Sequence, residues 1–258
     1  RLASSLTFNG VTIGLDPLEA EATEGRVRIS GTVDAFGADP DLRLDYTVRA
    51  DATGAAAWLP VTPAPTGTVV VDGTMSGDRT APDVAFDITT DALAWSTLGP
   101  IDVGGRGTFA GTVVALDTLR VDVAGGTLTA TGRVDVDDDG SSAVDARWTN
   151  LDLARLLAEV PAATVRPGAI SDGSLTMDWT GTDVLGGRIT ATTRQRALGA
   201  RQNLVPLAGR IDLASRARQW TLTGTPRVAD AIDATVRATG RLADDLAQAP
   251  LAGTVDIT

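Results

Sequence analysis

The chain has 258 residues, no cysteine and no histidine. It therefore lacks thiol chemistry, the usual general base at neutral pH and the commonest zinc ligands. Catalysis would have to rest on carboxylates, serine or threonine. The serine pairs Ser4-Ser5 and Ser141-Ser142 have no histidine to activate them, and nothing among the 33 acidic residues singles out a catalytic pair. The sequence predicts a protein that is not an enzyme and that uses no metal and no cofactor.

Positive charge is also scarce, because 22 basic residues, all of them arginine, face 33 acidic ones and leave a net charge of −11. Such a chain repels phosphate backbones, so we expect no nucleic-acid partner. No run of 18 apolar residues is present to form a membrane-spanning helix. The chain begins at Arg1 and stops within a strand-like pattern at Thr258. We expect residues 1–258 to be a fragment of a longer protein.

The dominant pattern is alternation of apolar with polar residues. In Leu42-Arg43-Leu44-Asp45-Tyr46-Thr47-Val48 every second side chain is apolar, and the same period recurs along the chain. Threonine, aspartate and arginine on the opposite side favour antiparallel strands with one wet face. The alternating apolar residues are Val27, Ile29, Leu42, Leu44, Tyr46, Val48, Val69, Val71, Val84, Phe86, Ile88, Leu119, Val121, Val123, Leu128, Ala130, Val134, Val136, Leu175, Met177, Trp179, Ile211, Leu213, Ile232, Val236, Val255 and Ile257.

Glycine marks both turns and strand interiors. Doublets that suit tight hairpin turns stand at Gly104-Gly105, Gly125-Gly126, Asp139-Gly140 and Gly186-Gly187. A second glycine pattern, followed by threonine or arginine and then an apolar residue, recurs inside the strands, as at Gly31 and Gly209. It predicts bends, bulges or close approaches. The expected fold is all-β: a repetitive antiparallel meander curled into an elongated open groove.

A longer repeat adds short helices to the strands. Asp51–Pro60 and, about one hundred residues later, Leu151–Pro161 each precede a connector and a new strand. In the second copy, leucine spacing predicts an amphipathic helix capped by Asn150 or Asp152 and ended by Pro161. We expect approximate sub-units at 1–60, 61–161 and 162–258, with one or two short helices.

Two segments carry a family resemblance. Gly126–Val136 (GTLTATGRVDV) and Ala146–Leu157 (ARWTNLDLARLL) resemble the repeats of the TamB and AsmA-like proteins of Gram-negative envelopes. The resemblance implies an open β-groove with an apolar interior, in a periplasmic protein anchored in the inner membrane by a segment outside this chain. It further implies phospholipid transfer toward the outer membrane and a role in outer-membrane biogenesis. An outer-membrane β-barrel assembly protein is an implied partner, through segments outside this chain.

The alternating apolar residues also favour a lipid-binding groove, independently of the resemblance. A meander whose strands all alternate must shelter one face, on a second sheet or on a ligand. A trough of valine, leucine and alanine can hold acyl chains, with about 0.8 kcal/mol for each buried CH₂. The alternating residues are therefore the candidate lipid-groove residues. The alternative is a secreted or surface-displayed β-solenoid or adhesin segment with a closed dry core, which the irregular spacing of the strand glycines disfavours.

Three other features have ordinary interpretations. Asp135–Gly140 imitates the start of a calcium loop, but Ala146 stands where that loop needs glutamate, so a hairpin turn is expected. The arginines at 194, 196 and 201 either meet lipid phosphates or lie on a solvated loop, which we favour. The five tryptophans could anchor at a lipid interface or stack on sugars. We expect instead that they fill wide parts of the apolar face or cover its ends, and they are Trp58, Trp95, Trp148, Trp179 and Trp220.

Overall fold

A computed structural model describes residues 2–34, 41–56, 63–96, 98–137, 139–158, 166–181, 183–196, 204–216, 219–229, 232–241 and 251–257. These residues form sixteen strands and two short helices. In chain order they are β1 Leu2–Phe8, β2 Thr12–Ala22, β3 Gly25–Asp34, β4 Asp41–Asp51, α1 Ala52–Ala56, β5 Thr66–Asp78, β6 Asp83–Ala94, β7 Asp102–Ala110, β8 Val113–Val123, β9 Gly126–Asp135, β10 Ser141–Asp152, α2 Leu153–Ala158, β11 Pro167–Thr180, β12 Asp183–Gln195, β13 Val205–Arg216, β14 Gln219–Val228, β15 Ile232–Arg241 and β16 Leu251–Ile257.

The chain divides into two compact units, Arg1–Val121 and Asp122–Thr258. In the first unit, each strand lies beside its neighbours in sequence, and the pairings from β1 to β7 are antiparallel. Within the described part of this unit the sheet is open, because β1 pairs with β2 alone. The predicted all-β antiparallel meander is confirmed. The prediction of three sub-units stays a prediction.

The second unit repeats this order from β9 to β16. One pairing departs from the meander. At the beginning of β11, Pro167 and Gly168 pair in parallel with Val205 and Pro206 of β13. The strands on either side of β12, which are β11 and β13, therefore pair directly with each other beyond the end of β12.

Bulges interrupt the pairing in both units. The register shifts between Leu15 and Leu18 in β2 and between Trp148 and Leu151 in β10. Gly31 and Gly209, inside strands, adopt φ values of +133° and +123°. Bulges bend strands and increase their twist, so each sheet is curved, as the strand glycines predicted.

The glycine doublets divide into turns and strand interiors. The hairpin predicted between β8 and β9 is confirmed, but its positive-φ residues are Ala124 and Gly125, one position before the predicted doublet, and Gly126 begins β9. The turns predicted at 104–105 and 186–187 are wrong, since these doublets lie within β7 and β12. Glycine doublets that leave room beside a neighbouring strand look the same in sequence as doublets that form turns.

Both helices begin directly after a strand and share one capping device. The Asp51 carboxylate accepts hydrogen bonds from the backbone N–H groups of Thr53 and Gly54, at 2.8 and 3.2 Å. The Asp152 carboxylate does the same for Ala154 and Arg155, at 3.1 and 3.3 Å. The predicted helix over 151–161 is confirmed at Leu153–Ala158 with Asp152 as its cap, and positions 159–161 lie outside the described residues. Across the described ranges, neither helix is long and apolar enough to cross a membrane.

Full burial is confined mainly to the strand ends that carry the helices. In the first unit Ala52 and Leu98 are buried there. In the second unit the buried set at this end is larger, and consists of Ala124, Leu151, Asp152, Ala154, Ala169, Ser171 and Thr193; Ala130, Ser142, Ala146 and Ala238 are buried elsewhere along its strands. The hydrophobic core is thus a small packed end in each unit, and it leaves most of the apolar sheet face uncovered.

Candidate functional site: two apolar sheet faces

Strand register places the apolar side chains of the first unit on one side of its sheet. Residues opposite one another on paired strands point to the same side. One such row runs through six strands and consists of Ala20, Val27, Val48, Val71, Ile88 and Gly105. We call this side the first apolar face; its larger side chains from β2 to β7 are Ile13, Leu15, Leu18, Val27, Ile29, Val33, Leu42, Leu44, Tyr46, Val48, Val69, Val71, Met75, Val84, Phe86, Ile88 and Phe109.

The second unit has a corresponding surface, the second apolar face. One row of this face crosses eight strands and consists of Ala130, Ala146, Leu175, Ile189, Leu213, Leu222, Ala238 and Gly253. Its other larger members are Leu128, Val134, Val144, Trp148, Leu151, Met177, Trp179, Ala191, Leu207, Ile211, Trp220, Val228, Ile232, Ala234 and Val236.

Most side chains of these faces are only half-buried. In the described part of the chain, the large apolar residues that reach full burial are Leu42, Leu98 and Leu151. Along β6 the exposure alternates residue by residue, with Val84, Phe86 and Ile88 intermediate and the polar side exposed. A closed core would bury large side chains completely, because protein interiors are close-packed. Among the residues that the structure describes, no second layer therefore lies over either face.

The size of this surface follows from strand geometry. Six strands at about 4.8 Å spacing extend roughly 24 Å across the sheet, and four alternating positions on one strand extend about 20 Å. The outline of the first apolar face therefore covers on the order of 500 Å², comparable to the largest apolar patch on a typical soluble monomer, which is often functional.

Two aromatic residues of these faces, Tyr46 and Trp148, have their polar atoms paired within the protein. The Tyr46 hydroxyl donates to the backbone carbonyl of Ala85 at 3.1 Å, and burial raises the pKa of this phenol. The Trp148 indole N–H donates to the hydroxyl of Ser171, a residue only 2% exposed, at 3.0 Å. Because their polar atoms are already paired, these rings present mainly carbon to whatever occupies the face.

Glycine lies directly opposite four of the aromatic residues on the apolar faces. The pairs are Tyr46 with Gly73, Phe86 with Gly107, Trp148 with Gly173, and Trp220 with Gly240. We refer to them as the ring–glycine pairs. A Cβ at any of these glycines would overlap the opposite ring, so each ring lies across the neighbouring strand.

The opposite sides of the sheets are polar and internally paired. Arg106 bonds to Asp87 at 2.8 Å, and Thr47 donates to Asp72 at 2.6 Å. Arg210 holds Asp212 at 2.8 Å and, with a hydrogen bond from Thr190, lowers the pKa of that carboxylate. Exposed pairs of this kind add little stability. They keep the outer side hydrated, so that one side of the sheet is polar and the other is apolar.

Most predicted groove residues lie together on one of the two apolar faces. On β8, a Cβ at Gly105 would lie 3.3 Å from Cδ1 of Leu119, so Leu119 points to the apolar side, and Val121 and Val123 alternate with it. Val136 follows β9 in the hairpin and is 64% exposed. The two β16 positions, Val255 and Ile257, stand opposite Val236 and Ala234 in the register.

Sequence reasoning missed several members of the apolar faces. Ile13, Leu15 and Leu18 of β2 escaped because the bulge changes the apparent period from two to three residues. Phe109 lies in the glycine-rich strand β7, where few side chains reveal alternation. For Trp148 and Trp220 the sequence predicted only that they fill or cover the apolar face, because the glycines opposite them are distant in sequence. The recurrence of aromatic residues and strand glycines was the available signal.

The acidic segment and two of the three arginines that the sequence singled out lie at strand ends. Asp135 ends β9, and the segment after it connects β9 to β10, as the hairpin prediction expected. Arg194 donates to Asn150, and Arg196 forms an ion pair with Asp152 at 2.7 Å. The solvated loop that the sequence favoured is therefore not where these two arginines lie, because each side chain links the end of β12 to the end of β10. Position 201 and Trp58 lie outside the described residues.

Comparisons with protein-family models, with curated proteins and with solved structures returned no match to this chain. The geometry of the two apolar faces is therefore the basis for assigning a function.

Proposed function

We propose that this protein is a lipid-binding scaffold whose apolar faces hold phospholipid acyl chains while the head groups remain in water. The observation that carries the proposal is the half-exposed apolar side of each sheet. Leaving it bare costs free energy in proportion to its area, about 25 cal/mol per Å². An acyl chain laid against it would recover much of that free energy without any polar contact.

The dimensions of the faces suit this ligand. A row of six strands extends roughly 24 Å. One leaflet of tails occupies about half of the 30 Å hydrocarbon core of a bilayer. A single row can therefore accommodate an extended acyl chain along its length, with the polar strand ends at its margins.

We place this scaffold in the envelope of a Gram-negative bacterium, where it would conduct phospholipid between the inner and outer membranes and aid outer-membrane biogenesis. The support is the likeness of its repeats to TamB and AsmA-like proteins together with the uncovered faces. The alternative, a structural or adhesive solenoid with a closed dry core, calls for fully buried large side chains. Incomplete burial favours the lipid scaffold.

Lipid binding can be tested with adjacent residues that face opposite sides of one strand. Leu222 lies on the second apolar face, and Thr221 on the polar side of the same strand. The purified chain is incubated with phosphatidylethanolamine vesicles carrying an acyl-labelled fluorescent phospholipid, and transfer of label to the protein is measured. We expect Leu222→Asn to reduce bound lipid several-fold and Thr221→Asn to leave it unchanged.

The first apolar face allows the same comparison, with Ile88→Asn against its neighbour Thr89→Asn. Circular dichroism of all four variants verifies that they are folded. The proposal fails if the wild-type chain takes up no phospholipid, or if the folded apolar-side and polar-side variants bind equally well.

A further inference from the structure

We infer that the ring–glycine pairs set the clearance of the groove, and that Trp148 and Trp220 are surfaces on which an acyl chain rests. This inference deepens the proposed lipid function and depends on it. It assigns a specific task to the glycines that recur within the strands: they allow the largest side chains of the apolar faces to lie flat.

The space around these glycines supports the assignment. A Cβ on Gly73 would come within 2.6 Å of Cζ of Tyr46, and one on Gly173 within 2.7 Å of Cε2 of Trp148. At Gly240 the three nearest atoms all belong to the Trp220 ring, with Cε2 at 2.5 Å. Real Cβ atoms do not approach other atoms this closely, so a side chain at Gly240 would lift the ring off the sheet, and one at Gly73 or Gly173 would in addition overlap a backbone carbonyl oxygen, that of Ala85 or Thr190.

A lifted ring would stand in the path of a ligand. A flat indole covers the strand beside it and offers a smooth carbon surface, whereas an upright indole projects its full length from the sheet. Four such pairs occur within the described ranges of the two apolar faces, two in each unit. Their recurrence indicates a general requirement for an unobstructed face.

A purely structural role is the competing explanation, since an aromatic side chain packed over a strand glycine stabilises a sheet. The two explanations differ when the ring is removed as well. If clearance matters, loss of the ring restores lipid binding to a glycine variant. If the pair only stabilises the sheet, a folded glycine variant binds lipid like the wild type and only its stability falls.

The Trp220–Gly240 pair offers the sharpest test, because a new Cβ there meets the ring first. We expect Gly240→Ala to reduce phospholipid uptake at least fivefold and the double variant Trp220→Leu/Gly240→Ala to recover most of it. Gly187→Ala is the matched control. Gly187 lies in the same register row as Trp220 and Gly240. A Cβ added to Gly187 would make only ordinary van der Waals contacts, with Thr176 O at 3.4 Å and Met177 Cγ at 3.8 Å.

The inference is overturned if folded Gly240→Ala binds like the wild type, or if the double variant stays as defective as the single one. Should Gly240→Ala fail to fold, quenching of Trp148 and Trp220 by brominated acyl chains decides the inference without a glycine substitution.

Tryptophan fluorescence separates failure of this inference from failure of the lipid function. Three variants each retain one tryptophan, Trp148, Trp220 or Trp95, with the other four changed to phenylalanine. Trp95 is the control, since it follows β6 and its indole N–H donates to the Pro63 carbonyl at 2.7 Å. Phosphatidylcholine with brominated acyl chains should quench Trp148 and Trp220 but not Trp95.

Two negative outcomes are distinct. If the chain binds unlabelled phosphatidylcholine and neither Trp148 nor Trp220 is quenched, the ring–glycine inference is wrong and the lipid function stands. If no phosphatidylcholine or phosphatidylethanolamine binds to the wild type, the lipid function fails and the inference falls with it.

Discussion

Loss of Asp152 should destabilise the second unit strongly. It is 6% exposed, it caps α2 through Oδ1, and its Oδ2 bonds to the guanidinium of Arg196 at 2.7 Å. Asp152→Ala therefore removes a helix cap and leaves a half-buried arginine without its partner. Both effects act on the packed end of the unit, where the buried residues are concentrated.

The two contributions allow an estimate. A lost N-cap costs about 1 kcal/mol. Breaking a buried ion pair costs about 3–5 kcal/mol, and we take roughly half of that because the Arg196 side chain is 30% exposed. The expected loss is about 2–4 kcal/mol, or a decrease in Tm of about 7–14 °C for a unit of this size.

Urea denaturation followed by circular dichroism and Trp fluorescence measures the change. Asp51→Ala is the matched control, because Asp51 caps α1 in the same way but is exposed. A double-mutant cycle of Asp152→Ala with Arg196→Ala should show a coupling of about 1 kcal/mol or more. The reasoning is refuted if Asp152→Ala costs no more than Asp51→Ala, or if the cycle shows no coupling.

Three further results are expected. Hydrogen bonds from Gly54, Thr53 and Thr80 lower the pKa values of Asp51 and Asp78, so the stability they add is present above the ordinary aspartate pKa of about 3.9 and is lost as pH falls toward the lowered values. A pH titration of Tm should show the Asp51→Ala deficit shrinking in that window; a deficit that is constant with pH would contradict this. Ala124→Gly should stabilise the turn by up to about 1 kcal/mol and Gly125→Ala destabilise it by a similar amount, since both positions have positive φ; thermal melts that move in the same direction would disprove it. Leu6→Ser, at a position 63% exposed on β1 and opposite Leu15, should change stability by less than about 0.5 kcal/mol yet reduce binding of an apolar fluorescent dye, and unchanged dye binding would count against an exposed apolar face.

Local features of the sequence predicted the strands and helix caps well. Alternation in Leu42–Val48 and in Val84–Ile88 depends only on neighbouring residues and on the twofold period of a strand, and both segments became strands with one apolar side. The aspartate cap of α2 is similarly local, since it acts within three residues. These predictions succeeded because no distant partner is needed to decide them.

Other features depended on which strands meet. The bulge at Leu15–Leu18 hid the apolar side of β2, and the doublets at 104–105 and 186–187 imitated turns while lying beside neighbouring strands. Partners far apart in sequence, such as Asn150 and Arg194, were equally invisible. Each of these outcomes is set by strand register, which no short window of sequence contains.

The sequence by itself determined that this chain forms antiparallel strands with one apolar and one polar side, because alternation and turn chemistry are local properties of the backbone. The tertiary structure alone decided that the apolar sides of the described strands are left uncovered and that aromatic rings lie opposite glycines. It also decided that Asp152 of β10 forms an ion pair with Arg196, which follows β12, at one end of the second unit. Pairing register brings distant residues together, and those residues define the surface on which a lipid tail would rest.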